Sequence, residues 1–191
     1  MQSGCTAHRK HLGHRIIRKF LKRTAEEEVR QGLPTLFPRL WRYALVLTSN
    51  PESAADLAQS TCLRALERSA QYTPGTNLDR WLFRMAHRIW LNELRSNAVR
   101  RGGGLLAVED VPIPDGKHDA EMNFFVREVL HNIYQLPEAQ RVCVFLVYVE
   151  GYKYAEAADI LSIPVGTVMS RLSAARKSVV EGMSEKDKKL G

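Results

Sequence analysis

The chain has 191 residues, of which 45% are hydrophobic and 26% charged, a balance that suits a soluble globular protein. It carries 28 Lys and Arg against 21 Asp and Glu, a formal charge of +7 that favours a polyanionic partner. No apolar run reaches the ~18–20 residues of a membrane span, and the basic N-terminus lacks the apolar stretch of a secretory signal. Three distant cysteines (Cys5, Cys62, Cys143) give no disulfide framework, so a cytoplasmic location is expected.

Residues 1–32 carry a net charge of +5, mostly in HRKHLGHRIIRKFLKR. Cys5, His8, His11 and His14 fall at three-residue steps, a set that could in principle hold zinc. A metal needs its ligands in a fixed geometry, and this segment has no partner loop, so no metal site is assigned. The segment reads as a basic extension, disordered or partly helical, that suits DNA or an anionic surface.

Residues 33–101, again net +5, form the first expected domain. Leu36, Leu40, Tyr43, Ala44 and Leu47 mark one helix. Asn50-Pro51-Glu52 is a strong start for a second, with Asn as cap, Pro in the first turn and Glu complementing the dipole. That helix is expected to run to about Gln71, with Ala55, Ala58, Cys62 and Leu66 inward. Tyr72-Thr73-Pro74-Gly75 is a turn signal. A third helix is expected over about Leu78–Val99. On its wheel Trp81, Arg84, Arg88 and Arg95 share one side, and Leu82, Met85, Ala86, Ile89 and Trp90 cover most of the other. Rings beside arginines suit single-stranded nucleic acid, because bases stack on the rings while cations follow the backbone. Trp90 is expected in the core, and His87 on a partly exposed surface.

Residues 102–121 are net −4 and begin with Gly102 to Gly104, followed by Pro112 and Pro114. Such a composition resists ordering and predicts a flexible linker. A second domain, 122–180, follows. Phe125, Val129 and Ile133 suggest one helix, Pro137 opens another, and Gly151 can stop it. Two short helices, about Tyr154–Leu161 and Val165–Val180, flank Ser162-Ile163-Pro164. This is a helix-turn-helix pattern, and its second helix carries no acid between Val165 and Val180. Val168, Leu172, Ala175 and Val179 would face the core. Thr167, Ser170, Arg171, Ala174 and Lys177 would face outward, pairing cations for phosphates with short polar groups for base edges. Residues 181–191 are a charged tail. The fold class is therefore all-α, two small helical domains joined by a linker.

No catalytic constellation stands out. The triple glycine lacks the Lys-Ser/Thr of a phosphate loop, and there is no Ser/His/Asp cluster or prominent acid pair. No cofactor and no enzymatic activity are expected.

In this order, DLAQSTCLRALE (56–67), WLFRMAHRIWLNELR (81–95), LPEAQRVCVFLVYVEGYKYAEAADIL (136–161) and IPVGTVMSRLSAARK (163–177) resemble a bacterial sigma factor of the extracytoplasmic-function (ECF) group of the sigma-70 family. The resemblance covers about residues 33–180. It implies a transcription initiation factor that binds core RNA polymerase, recognises the −10 and −35 promoter elements and promotes strand opening. Through it, Asp56, Leu57, Gln59, Leu63, Arg64 and Glu67 would contact polymerase. Thr76, Asn77, Arg80, Trp81, Arg84, Arg88, Asn92 and Arg95 would melt and hold the −10 strand, with the turn from Tyr72 to Asn77 capturing a flipped base. Thr167, Met169, Ser170, Arg171, Ser173, Ala174, Arg176 and Lys177 would read the −35 duplex.

Departures from the family pattern are Arg88 where many relatives have Asn, Met169 where Arg or Lys is common, and Ala174. The last two imply a different −35 preference. The resemblance also implies an anti-sigma factor as partner, and a linker that runs through polymerase channels. Two other readings stay open: a helix-turn-helix regulator acting without polymerase, and a sigma-like decoy that binds an anti-sigma factor.

Overall fold

A computed structural model describes residues 24–101 and 133–190. Helix α1 spans Ala25–Thr48 and starts at a capping box. The Thr24 hydroxyl accepts from the Glu27 N–H at 3.2 Å, and Glu27 accepts from the Thr24 N–H at 2.9 Å. The expected domain edge at residue 33 falls inside this helix, and Val29 is fully buried. Pro34 and Pro38 each remove one helical hydrogen bond, but both lie on the exposed side four residues apart, where water can satisfy the freed carbonyls. The helix ends at Ser49, in the left-handed region at φ 53°.

Helix α2 spans Pro51–Glu67, and Asn50 caps it by accepting from the Ser53 N–H at 2.9 Å. Its inner face differs from the expectation. Ala54, Leu57, Ala58, Thr61 and Ala65 are buried, whereas Cys62 is half-buried and Leu66 is 41% exposed. Both faces carry apolar residues, and the face of small ones lets α2 lie close along α1. A short 3-10 turn, Ser69–Gln71, leads into the loop before α3, which spans Leu78–Arg101. The helix suggested by Phe125, Val129 and Ile133 lies almost entirely outside the described residues, as do residues 1–23 with their Cys/His series and the acidic linker.

In the second body, α4 (Glu138–Val144) widens into a π-helical turn over Phe145–Val149 and stops before Gly151, whose φ is +76°. Helix α5 (Tyr154–Leu161) and helix α6 (Val165–Leu190) form the helix-turn-helix. Ser162, at φ 55°, makes the turn, and the Ile163 N–H donates to the Ala158 carbonyl at 3.0 Å.

The two bodies share one apolar core. Tyr43 of α1 stacks against Phe83 of α3 at 4.7 Å between ring centroids and against Phe145 of the second body at 5.9 Å. Tyr152 meets Phe83 edge-on at 6.1 Å. Arg141 of α4 is buried and donates from Nε to the Val46 carbonyl at 2.8 Å, serving an otherwise unpaired carbonyl in the last turn of α1. Its Nη1 also donates to the carbonyls of Tyr134 and Leu136. Each body is small, so pooling aromatic surface buries more area than either could alone.

Candidate nucleic-acid interface

The first element is the loop between the 3-10 turn and α3. Pro74 and Gly75 occupy the central positions of a turn closed by the Thr76 N–H on the Thr73 carbonyl at 3.3 Å. Gly75 has φ +79°, the backbone conformation that such a turn requires at its third residue. Thr76 and Asn77 are exposed at its end, and the Asn77 carbonyl accepts from the Trp81 N–H to begin α3. Trp81 is half-buried, its ring 5.4 Å from that of the buried Tyr72. Trp90 is in the core, as its place on the wheel predicts.

Along α3 the arginines divide into two groups. Arg88 and Arg95 are exposed, and Arg95 donates to Asn92 Oδ1 at 3.3 Å. Arg80 and Arg84, by contrast, face the second body. Arg80 Nη2 donates to Glu156 Oε1 at 2.5 Å, and Arg84 pairs with Asp159, both acids being on α5. The Lys153 N–H, first, and then Arg80 hold the Glu156 carboxyl below the usual range. A third tie lies nearby. Arg39 of α1 donates to Glu150 at 2.7 Å and to Asp79 at 3.1 Å, with its guanidinium 5.7 Å from the Phe83 ring centroid. Acids of the helix-turn-helix thus engage Arg80 and Arg84, two of the residues expected to hold the strand.

The outer row of α6 is open. Met169, Ser170, Ser173, Ala174, Arg176 and Lys177 are exposed, and Thr167 is half-buried. Val168, Leu172 and Ala175 are buried, as the helical period predicts. Arg171 departs from the expected row. It is half-buried and stands close to Cys143, to Glu138 and to His87 of α3. Burial, helped by Arg171, lowers the His87 pKa to about 4, so its imidazole is neutral at pH 7. His87 is thus partly exposed, as expected, and also lies beside Arg171 of the second body.

On α2, Asp56, Gln59, Leu63, Arg64 and Glu67 are exposed. Leu57 is corrected. It is 1% exposed and packs into the shared core, 100° around the helix from Asp56, so it supports this surface without forming it. Leu63 is 60% exposed and Leu66 41% exposed, an apolar strip flanked by charges that suits a protein partner.

Sequence reasoning missed Glu28, Arg39, Arg141, Glu150, Glu156 and Asp159. The capping box at Thr24 and Glu27 was a readable signal that the fold begins before residue 33. The other residues act through tertiary pairing, which leaves no local pattern.

Comparison with known proteins places the two bodies. The model of Sigma-70 region 2 matches residues 35–100, and that of Sigma-70, region 4 matches residues 127–179. Over 161 residues the chain is 30% identical to the ECF RNA polymerase sigma factor EcfG of Rhodopseudomonas palustris (strain TIE-1), covering 80% of this chain and 83% of that protein. The chain belongs to the ECF sigma factors of the sigma-70 family.

This ECF sigma factor is also 32% identical over 144 residues to SigL of Mycobacterium tuberculosis (strain H37Rv), covering 73% of this chain and 80% of SigL. Its fold matches the sigma factor RpoE of Bartonella quintana, solved in complex with the anti-sigma factor NepR. There the TM-score is 0.69 and the identity 26%, across 81% of this chain and 96% of that one. Membership makes the chain a transcription initiation factor of the DNA-binding, ECF class. Among the described residues no helix is long and apolar enough to cross a membrane.

Proposed function

We propose that the outer face of α2 docks on core RNA polymerase, that the 72–77 loop and the arginine side of α3 hold the opened −10 strand, and that the exposed row of α6 reads the −35 duplex. The observation that carries this reading is the presence of both sigma segments, in order, on one chain whose candidate rows are solvent-facing on α2 and α6. A regulator acting without polymerase would leave the α2 strip and the arginine helix without a task. The protein works without enzymatic activity and in the cytoplasm. An anti-sigma factor is a further partner, supported by the likeness to the RpoE–NepR complex.

Opening duplex DNA costs ~1.4 kcal/mol per base-pair step in lost stacking. Nothing is hydrolysed to meet it, so differential binding must favour the open state: the loop takes a flipped base, and cations follow the strand. Arg80 and Arg84 are already paired with Glu156 and Asp159. The strand must displace these acids, so promoter engagement goes with separation of α5 from α3. In this arrangement Arg171 also stands beside His87 of α3, a contact that is lost on separation.

Transcription from a promoter library by core polymerase, with and without the protein, tests the reading. The expected result is a new set of start sites sharing −10 and −35 sequences. Specific DNA binding by the protein alone, with no redirection of polymerase, would overturn it in favour of the polymerase-independent regulator.

A further inference from the structure

We infer that Glu28 is a positioning residue for base capture, shaping the 72–77 loop from the first turns of α1. The inference rests on the reading of that loop as the base-capturing element. Glu28 lies outside the segment matched by the region 2 model, which begins at residue 35.

One carboxylate holds two points of the loop. Glu28 Oε2 accepts from the Gly75 N–H at 2.9 Å, inside the turn. Glu28 Oε1 lies 2.7 Å from the Tyr72 hydroxyl, just before the turn. That hydroxyl is also 2.7 Å from the Thr76 carbonyl and, with a single proton, donates to one acceptor at a time. The Gly75 N–H has an exposed alternative in water, so without Glu28 the turn would be free to shift relative to α1.

Glu28 is itself anchored. Val29 and Leu33 of the same helix pack in a small core with Ala65, Tyr72, Leu78 and Leu82. This core lies under the loop, and Tyr72 within it carries Trp81 on its ring. The N-terminal turns of α1 therefore set the height and tilt at which Thr76 and Asn77 are presented. A bound base is discriminated by hydrogen bonds that tolerate only small displacements, so loop placement sets base preference.

The test is transcription by core polymerase with the full chain, on a template library randomised through the −10 element. For Glu28→Ala the ratio between the best and worst base at the captured position is expected to fall about tenfold, the scale of one lost charge-assisted hydrogen bond. Polymerase binding and −35 preference should stay as in the parent. Glu28→Gln should restore most of the ratio, since its amide oxygen can still accept from Gly75. Tyr72→Phe, which keeps the ring packed and removes one tie, should fall between the two and serves where Glu28→Ala folds poorly.

An unchanged base ratio in Glu28→Ala, or a uniform loss on all templates at constant ratio, would overturn the inference. Asn77→Ala on the same library separates the two levels. If it flattens the base ratio while Glu28→Ala does not, Glu28 alone is misassigned. If neither changes the ratio, the loop does not capture a base, and the inference falls with that reading.

Discussion

Replacing Arg39 with Met should loosen the contact between the two bodies and strengthen binding to single-stranded DNA. The methionine keeps apolar packing over Phe83 and removes the charge. Arg39 pairs with Asp79 inside the first body and with Glu150 of the second. The Asp79 contact survives separation of the bodies, so its loss weighs equally on the closed and open forms. The Glu150 contact does not. Its side chain is 4% exposed in the closed form and would regain water on opening. Stranding one member of a buried, hydrogen-bonded ion pair costs ~2–5 kcal/mol, and the Arg39 side chain at 32% exposure places this pair at the low end. A penalty of ~2 kcal/mol on the closed form shifts the closed-to-open ratio about thirtyfold. Where the open form is the minor one, apparent affinity rises by the same factor. The assay pairs fluorescence anisotropy of a labelled −10 single strand with energy transfer between dyes on α2 and α6. Unchanged affinity together with unchanged energy transfer would refute the reasoning, because Glu150 would then be satisfied without Arg39.

The double variant Glu156→Gln, Asp159→Asn should also raise single-strand affinity, most clearly at low salt, with helicity by circular dichroism unchanged; lower affinity would mean that the acids do not compete with DNA. Arg141→Met should cost ~3 kcal/mol in a denaturant titration, because it leaves the Val46, Tyr134 and Leu136 carbonyls without their donor. Acid should loosen the interface through His87. Its folded pKa is depressed to about 4, so the stability it reflects is full above the unfolded value near 6.5 and is lost as pH falls from there toward 4. With its partial exposure discounted, this amounts to ~2 kcal/mol, and His87→Gln should flatten the stability-versus-pH curve in that window relative to the parent.

Much of the helix content was legible because its causes are local. Asn50-Pro51-Glu52, Gly151 and the Ser162-Ile163-Pro164 turn act over a few residues, and the structure keeps all three boundaries. The apolar period of α6 correctly divided Val168, Leu172 and Ala175 from the exposed row. On α2 the period was ambiguous, since apolar residues occupy both faces, and packing against α1 chose the side with alanines. Leu57 rests on the family pattern, which does not distinguish a side chain on the surface from one turned inward, and the helical period that turns Arg171 outward does not register His87 of α3 beside it.

The helical class, the helix-turn-helix and the family are legible in the amino-acid order alone, because propensity, capping and motif order are written along the chain. Tertiary structure decided that α1 begins at Ala25 with Glu28 beneath the loop, that the two bodies share an aromatic core, and that α5 carboxylates occupy Arg80 and Arg84. Arg39 and Glu150, which pair across the bodies, are 111 positions apart. A charge at such a distance in sequence finds its partner only when helix packing brings the two together, so no local pattern records the pair.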